Sequence, residues 1–421
     1  MSQTPTAAGR RATLRRAETR NAVLLTLQGM ATALAGPMMP AALAPAILVR
    51  LGGSDLVIGL LGTVASAVGV PAMLLAAHLS GQSRRKGLAT LLWNSASALV
   101  YLPLVLLLAV EGTSTTLGVF SAMLLAATAA SGLTGSVSSV LQVDLLSRIT
   151  VPERRGRVTG VAGSVAGLAS LAGGVGLSLL LARRPFPAGY TLACAIGLSV
   201  SAAGYLAYLL FRELPGLKTT AAARLPGLRE SLQTIRRDRV FLWVLVAAMA
   251  KFAGNAGYTF VVPTALRRDG LPDTFVGHFA VVTAVVGIGL GPLQGWLADR
   301  WGISRTALLG GAATAAGMVL FARAGSYTAV LACVAVLAVG ASALNTMFFL
   351  APLSLSPPEH RSAYIAMRYL AESVAGVVCM PAVGYALTRW DAAYVFWLSG
   401  AAALVSAVVL VRATGWYCRR R

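Results

Sequence analysis

Twelve long apolar runs, each close to 20 residues or longer, dominate this chain of 421 residues. A helix needs about 20 apolar residues to cross a bilayer, and runs of this length are too long for the strands of a membrane barrel. Hydrophobic residues make up 57% of the chain and charged residues 12%, about half the charged fraction of a soluble protein. We therefore predict an all-α integral membrane protein and exclude a soluble enzyme. The predicted spans are 21–48, 56–80, 87–109, 115–142, 158–182, 188–211, 240–265, 274–298, 304–322, 327–353, 362–387 and 392–411.

The basic residues predict how the chain lies in the membrane. Its formal charge of +21 would suggest nucleic acid in a soluble protein, but here the basic residues are spaced between apolar runs. With the N-terminal arm in the cytoplasm, 26 of the 35 Lys and Arg fall on the cytoplasmic side, seven on the other side and two within spans. This asymmetry follows the positive-inside rule. We predict an inner-membrane protein with both termini cytoplasmic, basic loops on an anionic inner leaflet, and no nucleic-acid partner.

Polar segments divide the chain into five predicted parts. In the central linker, Leu228, Leu232 and Ile235 fall on one helical stripe among arginines, which predicts an amphipathic helix on the membrane surface. The parts are a basic N-terminal arm (1–20), a first six-helix bundle (21–212), a cytoplasmic linker (213–239), a second six-helix bundle (240–411) and a basic tail (412–421).

Two loop motifs occur at equivalent places in the two halves. After span eight the chain reads Gly295-Trp-Leu-Ala-Asp299-Arg300-Trp-Gly302, and a weaker relative, Ala77 to Lys86, follows span two. After span four it reads Pro152-Glu-Arg-Arg155-Gly, and after span ten Pro358-Glu-His-Arg361-Ser. Such internal similarity is typical of transporters built from repeats. The alternative is two unrelated helix starts, because Pro and an early Glu suit any helix N-terminus.

With these motifs the chain resembles the major facilitator superfamily over its whole membrane portion. The resemblance implies two six-helix bundles related by a pseudo-two-fold axis, with substrate bound between them and exposed to each side in turn. It also implies a gating role for the loop residues Gly295, Asp299, Arg300, Gly302, Asp144, Arg155 and Arg361. The first-half copy departs from the pattern, with Gly81 in place of the aspartate. A carboxylate such as Asp299 can cap a helix or pair with an arginine in one state only.

Three ionisable residues lie near the middle of spans: Lys251 in span seven, and Arg368 and Glu372 in span eleven. A charge there costs about 3 kcal/mol or more, which makes each a functional candidate. Arg368 and Glu372 are four residues apart and can pair on one helical face. They either neutralise each other to stabilise the bundle or bind substrate and protons. Their sum with Lys251 is a net positive charge, which favours an anionic or zwitterionic substrate, and Glu372 is the candidate proton carrier.

Uncharged polar side chains complete the predicted substrate site. Each of them lies within an apolar span, where it could also form an ordinary interhelical hydrogen bond. Asn255 lies one turn beyond Lys251 and extends its polar face. The remaining candidates are Gln28, Tyr258, Asn345 and Tyr369, with Asn94 and Gln142 as further polar positions in the first half.

The predicted function is secondary active transport of a small organic solute, with proton-coupled export, as in an antiporter, favoured over import. The sequence carries no phosphate-binding loop for ATP hydrolysis, and we expect no cofactor, no metal site and a monomer. Span five contains the pair Gly163 and Gly167 but lacks the Gly-Pro motif of drug exporters, which weakens a drug-antiporter assignment. The alternatives are a proton-coupled importer of a metabolite or sugar, a transporter-like sensor and a lipid flippase.

Overall fold

A computed structural model describes residues 7–82, 85–112, 116–212, 233, 238–355 and 361–420, and every regular element within them is a helix. The first half contains α1 (Ala7–Ala35, the 3-10 turn Gly36–Met38, then Pro40–Arg50), α2 (Asp55–Gln82), α3 (Lys86–Leu99 and Leu102–Glu111), α4 (Leu117–Ile149), α5 (Pro152–Arg183) and α6 (Ala188–Tyr205, then the 3-10 turn Leu206–Leu209). The second half contains α7 (Arg239–Thr259 and Val261–Arg268), α8 and α9 (together Thr274–Arg323), α10 (Tyr327–Leu355), α11 (Arg361–Arg389) and α12 (Ala392–Arg420).

The helices confirm the predicted all-α membrane fold. Within the described ranges, ten segments are long and apolar enough to cross a membrane, and two shorter apolar helices, Asp55–Gly69 and Thr274–Leu290, lie in α2 and α8. The boundary between α8 and α9 falls in the predicted break between spans 274–298 and 304–322, because the two helices meet at a kink. Gly302 lies at this kink with the non-helical angles φ 82° and ψ 158°. Glycine adopts a positive φ without a side-chain clash, so the chain changes direction at this residue.

The central helices α1 and α7 are interrupted at proline-rich positions. In α1 the break is the 3-10 turn Gly36–Met38, which contains Pro37 and precedes Pro40. In α7 the break is at Phe260, three residues before Pro263. Proline lacks an amide hydrogen and clashes with the preceding turn, so these prolines account for both interruptions.

Two helix pairs form most of the contact between the described parts of the halves: α2 packs along α11, and α5 packs along α8. Glycines make the close approach possible on both seams. A Cβ on Gly59 of α2 would lie 2.5 Å from the carbonyl oxygen of Met380 in α11, and a Cβ on Gly277 of α8 would collide with the backbone of Ser178 in α5. Small residues let membrane helices pack backbone to backbone, so these positions hold the two halves together.

The helix bundle has two ends, which we call the termini face and the opposite face. The termini face carries Asn21, Ile149 and Arg212, and the opposite face carries Arg50 and Asp273. Asn21 is fully buried. Its Nδ2 donates to the carbonyl oxygens of Ile149 at 3.1 Å and Arg212 at 2.7 Å, which ties the beginning of α1 to the ends of α4 and α6.

The buried core differs between the two faces. Towards the opposite face, a single cluster of buried side chains spans both halves, including Ile47, Phe120 and Tyr190 of the first half and Phe260 and Phe396 of the second. Towards the termini face, each buried cluster among the described residues lies within one half. Among the described residues, the halves therefore share a buried core at the opposite face only.

The predicted linker helix lies outside the described residues. Of the linker 213–239, the structure describes Gln233, Asp238 and Arg239, so the predicted amphipathic stripe of Leu228, Leu232 and Ile235 is not among them. Asp238 accepts a hydrogen bond on Oδ1 from the amide nitrogen of Phe241 at 3.1 Å. It thereby caps the N-terminus of α7 and fixes where the second half begins.

We expect Gly254→Ala to destabilise the second half. A Cβ at Gly254 of α7 would lie 2.8 Å from the amide nitrogen of Ala403 in α12, so overpacking is expected to cost about 1–3 kcal/mol. Gly118 of α4 has no atom within 4 Å of the corresponding position, and Gly118→Ala should raise stability by up to about 1 kcal/mol. Thermal unfolding of the purified protein measures both. A melting temperature for Gly254→Ala at or above that of Gly118→Ala would contradict the packing.

Candidate functional site

Three buried charged side chains meet between α7 and α11. Glu372 Oε1 accepts hydrogen bonds from Lys251 Nζ at 3.0 Å and from Arg368 Nη1 at 3.1 Å. Lys251 and Arg368 are only 5% and 4% exposed. The pairing of Arg368 with Glu372 is the one their spacing predicts, whereas Lys251 reaches Glu372 from another helix. We call these three residues the charge triad.

Aromatic rings flank both cations of the charge triad. Lys251 Nζ lies 5.8 Å from the ring centre of Phe348 in α10, and the Arg368 guanidinium lies 4.1 Å from that of Tyr369. Ring faces attract cations, and more strongly where water is absent. One oxygen of the Glu372 carboxylate therefore binds both cations. Because the triad keeps a net positive charge, the two aromatic rings contribute further stabilisation of Lys251 and Arg368.

A polar stripe on α7 leads from the charge triad to a cavity between the halves. Asn255 and Tyr258 lie four and seven residues after Lys251 and so share its helix face. The buried Oδ1 of Asn255 has no hydrogen-bond partner among the described residues. Tyr258 lines a cavity of about 410 Å³ whose walls include Pro37 of α1 and Phe279 of α8. Such a volume falls within the range of about 300–1,000 Å³ typical of small-molecule sites.

The other predicted lining residues lie elsewhere. Gln28 is 9% exposed and, with Gln142, lines a separate cavity of about 420 Å³ within the first half. Gln142 Nε2 donates to Asn94 Oδ1 at 3.1 Å, so this pair forms an interhelical hydrogen bond. Asn345 is exposed on α10. The structure thus brings Tyr369, Asn255 and Tyr258 to the charge triad or its helix face, and places Gln28 at a separate cavity.

The loop motif after α8 is exposed in this conformation. Arg300 lies with its guanidinium 5.3 Å from the ring centre of Trp296. Asp299 is exposed and has no ion pair among the described residues. Gly302 forms the bend between α8 and α9, and a Cβ on Gly295 would meet open space. The gating role of these residues remains a prediction.

The second predicted loop motif is described in part. Asp144 at the end of α4 forms ion pairs with Lys86 Nζ at 2.9 Å and with Arg148 Nε at 3.4 Å. Lys86 is only 2% exposed although it begins α3. The side chains of Arg155 and Arg361 lie outside the described residues. Asp144 therefore ties the beginning of α3 to the end of α4 within the first half.

The ion pairs that connect the two halves lie at the opposite face. Arg50 Nε at the end of α1 is 2.7 Å from Asp273 Oδ1, and Arg267 Nη1 in α7 is 2.5 Å from Asp55 Oδ1. Tyr190 of α6 also donates its hydroxyl to Asp273 Oδ1 at 2.7 Å. With the shared apolar core, these contacts close the opposite face.

The polar contacts described at the termini face stay within one half. Arg154 Nη1 lies 3.5 Å from Glu18 Oε2 in the first half, and Tyr364 donates to Asp238 Oδ2 at 2.8 Å in the second. The described part of the structure thus has its halves apart at this face and joined at the other. Such an arrangement is one of the two states that alternating access requires.

Comparison with known protein families identifies the family to which this chain belongs. The sequence profile of the Major Facilitator Superfamily matches residues 22–349 and 270–415. The chain belongs to the major facilitator superfamily. No curated protein sequence matches it significantly.

Solved structures of superfamily transporters share the fold at low sequence identity. A mutant of the nucleoside transporter NupG is 12% identical with a TM-score of 0.71, covering 93% of this chain and 99% of its own. A bacterial homologue of the iron transporter ferroportin, in an inward-facing state, is 17% identical with a TM-score of 0.70, covering 94% and 98%. A mutant of the peptide transporter POT is 13% identical with a TM-score of 0.69, covering 96% and 98%. These similarities establish the fold of this superfamily member.

Several charged residues of this superfamily member were not singled out as functional from its sequence. Arg50 and Arg267 counted only towards the charge asymmetry, and Asp55 and Asp273 drew no attention because they lie at span ends. Lys86 counted as a loop residue but is buried. The signal that could have identified them is the short sequence repeat around the two aspartates.

We expect the charge triad to show strong thermodynamic coupling. Glu372→Gln leaves Lys251 and Arg368 buried together without a carboxylate, and removing one partner of a buried pair costs about 3–5 kcal/mol. Adding Lys251→Met removes one of the two cations that have lost their carboxylate partner, so the double variant should be more stable than Glu372→Gln alone. Thermal unfolding in detergent gives the order. A double variant less stable than Glu372→Gln would show that the three groups do not act as a unit.

Proposed function

We propose that this superfamily member is a proton-coupled secondary transporter of a small anionic or zwitterionic organic solute. The observation that carries the proposal is the single carboxylate of Glu372 between the two buried cations Lys251 and Arg368. A site that holds two cations against one anion has affinity for a second anion. The cation surplus also disfavours a metal ion as cargo, and no cluster of three metal-ligating side chains occurs among the described residues.

Coupling between proton and solute follows because Glu372 and the solute compete for the same two cations. While Glu372 is ionised, it occupies both Lys251 and Arg368 through Oε1. When Glu372 takes up a proton it loses its charge, and the cations become free to hold the carboxylate or phosphate of a solute. When the solute leaves, the exposed cations favour release of the proton from Glu372. Proton and anion therefore bind together.

Binding in this order favours transport of proton and solute in the same direction. Under an inward proton gradient such coupling drives uptake, which is the alternative to the export favoured from the sequence. Export against the same gradient would require proton and solute to exclude each other from the site. The triad thus supports the importer over the antiporter.

The conformational part of the proposal rests on the difference between the two faces. If the basic termini face is cytoplasmic, as the charge asymmetry predicts, the conformation described here is closed to the outside. The cavity beside Tyr258 then lies between the halves, about 10 Å along α7 from Lys251 given the helical rise of seven residues. A solute would pass between this cavity and the charge triad along the stripe that includes Asn255. The solved relatives, named for nucleosides, peptides and iron, do not choose the solute, because the fold is shared among different cargoes.

We expect anionic solutes to stabilise the protein through Lys251. In a thermal-shift screen of metabolites and drugs on purified protein, carboxylates or phosphates should raise the melting temperature, since a ligand at a hundredfold excess over its Kd adds about 2.7 kcal/mol. Lys251→Ala should abolish these shifts. Arg323→Ala, at the far end of α9, is the matched control and should retain them. Stabilisation by cations alone, unchanged in Lys251→Ala, would contradict an anionic solute.

We expect protons to move with the solute and to depend on Glu372. In proteoliposomes containing a pH-sensitive dye, adding an anionic solute identified by the screen should acidify the lumen. Glu372→Gln should bind the solute yet move no protons, because its amide cannot carry one. Asp391→Asn, whose carboxylate caps α12 through the amide of Ala393, is the control and should behave as wild type. Alkalinisation of the lumen would indicate exchange and contradict co-transport, and proton movement in Glu372→Gln would exclude Glu372 as the carrier.

A further inference from the structure

A ten-residue pattern is repeated at the loops that precede α2 and α8. It reads Arg-x-Gly-x-x-Asp-x-x-x-Gly in both halves of the chain. The members are Arg50, Gly52, Asp55 and Gly59 in the first half, and Arg268, Gly270, Asp273 and Gly277 in the second. Because the two loops occupy equivalent positions in the two bundles, the repeat places the same chemistry twice on the opposite face.

The glycines of the repeat fix the position of each aspartate. Gly52 and Gly270 have positive φ values of 79° and 57°, a conformation that glycine adopts readily. Each turns the chain from the end of one helix into the next. Gly59 and Gly277 then pack against the backbone of the other half, on Met380 and Ser178. Each aspartate is thereby held at the beginning of its helix, against the other bundle.

Each aspartate of the repeat receives an arginine from the other half. Arg50 reaches Asp273, and Arg267 reaches Asp55 and also donates to the carbonyl oxygen of Gly53. Tyr190, which is fully buried, adds a hydrogen bond to Asp273. The two ion pairs are thus reciprocal: each half contributes one arginine and one aspartate.

The second half uses Arg267 rather than Arg268 for this contact. Arg268, the sequence equivalent of Arg50, pairs with its neighbour Asp269 at 2.7 Å and donates to the carbonyl oxygens of Phe321 and Ala322. It therefore holds the end of α9 within the second half. Two adjacent arginines at the same face have different partners, one across the halves and one within a half.

The geometry suits contacts that form and break repeatedly. The paired arginine side chains are 30–33% exposed and the aspartate side chains 16%, so water reaches the arginine of each pair while the face is closed. Asp55 and Asp273 lie at helix N-termini, and Arg50 lies at a helix C-terminus. The helix dipole stabilises charges of these signs when the pairs separate. The open state of this face therefore leaves no charge without compensation.

We infer that Arg50, Asp55, Arg267 and Asp273 form a reciprocal latch that holds the opposite face closed and sets how often it opens during transport. These are positioning residues, since they lie away from the charge triad. The inference rests on the assignment as a transporter, but not on proton coupling or on the charge of the solute. Both ion pairs must separate for the opposite face to open.

Distances between spin labels across the opposite face test the latch. In a variant with the four native cysteines replaced by alanine, Thr116→Cys in the first half and Gly325→Cys in the second carry the labels. Both positions are exposed at the ends of helices outside the latch. Electron–electron double resonance on the full-length protein, without solute or pH gradient, gives the ratio of long to short distances. Failure of co-transport leaves this readout unchanged, so the two proposals can fail separately.

We expect Arg267→Met and Asp55→Asn each to raise the ratio of long to short distances by about two- to fivefold, because each removes one partly exposed ion pair. The double variant should raise it no further than the larger single effect, since both changes remove the same pair. Arg268→Met, the matched control, should leave the ratio unchanged. An unchanged ratio in Arg267→Met, full additivity in the double variant, or an equal effect of Arg268→Met would overturn the inference.

Discussion

Charge buried inside a bilayer is the constraint on which the rest of this structure depends. An isolated ion there is strongly unfavourable, yet α7 and α11 carry two cations and one carboxylate with exposures near 5% for the cations. The chain meets this constraint by letting Lys251 and Arg368 share one oxygen of Glu372 and by placing aromatic rings beside both cations. The arrangement is stable only while the carboxylate is ionised and in place. The same dependence is the basis of the proposed response of the site to a proton or to a second anion.

The contact between the halves must satisfy two opposing requirements, since it has to be close and also reversible. Closeness comes from glycines such as Gly59 and Gly277, which allow backbone-to-backbone packing on the two seams. Reversibility comes from the kind of polar contact placed at the opposite face. Its ion pairs are partly exposed and lie at helix ends, whereas the charge triad is buried. The two sets of charges therefore suit different tasks, one for opening and closing and one for binding.

Fold similarity places this chain among transporters but does not identify its solute. The three solved structures described above are 12–17% identical and are named for nucleosides, iron and peptides. What distinguishes one superfamily member from another is the set of side chains within the bundle. In this chain that set combines a cation surplus with a largely apolar cavity beside Tyr258 and Phe279. The chemistry of the site, and not the fold, is the basis for proposing a small anionic solute.

Much of the fold follows from the sequence, because a bilayer leaves a chain few choices. Apolar length and unpaired backbone groups require helices, and twelve runs therefore predicted twelve spans. The spacing of Arg368 and Glu372 likewise predicted their pairing, since residues four apart share a helix face. The break between spans eight and nine was predicted, but the positive φ of Gly302 that forms it was not, because an apolar pattern does not specify backbone angles. Nor could the sequence place Gln28, since the apolar pattern does not specify which face of a helix meets a cavity.

Tertiary structure alone decided the contacts between residues far apart in the chain. Lys251 and Glu372 are separated by 121 positions, and Arg50 and Asp273 by 223, so no local pattern could have paired them. Adjacent Arg267 and Arg268 are chemically identical, yet one contacts the first half and the other the end of α9. The sequence determined that the chain spans a membrane and which charges lie within it. The packing of the two halves determined which of those charges meet, because helices with similar apolar surfaces can associate in several ways until close packing and buried charge select one.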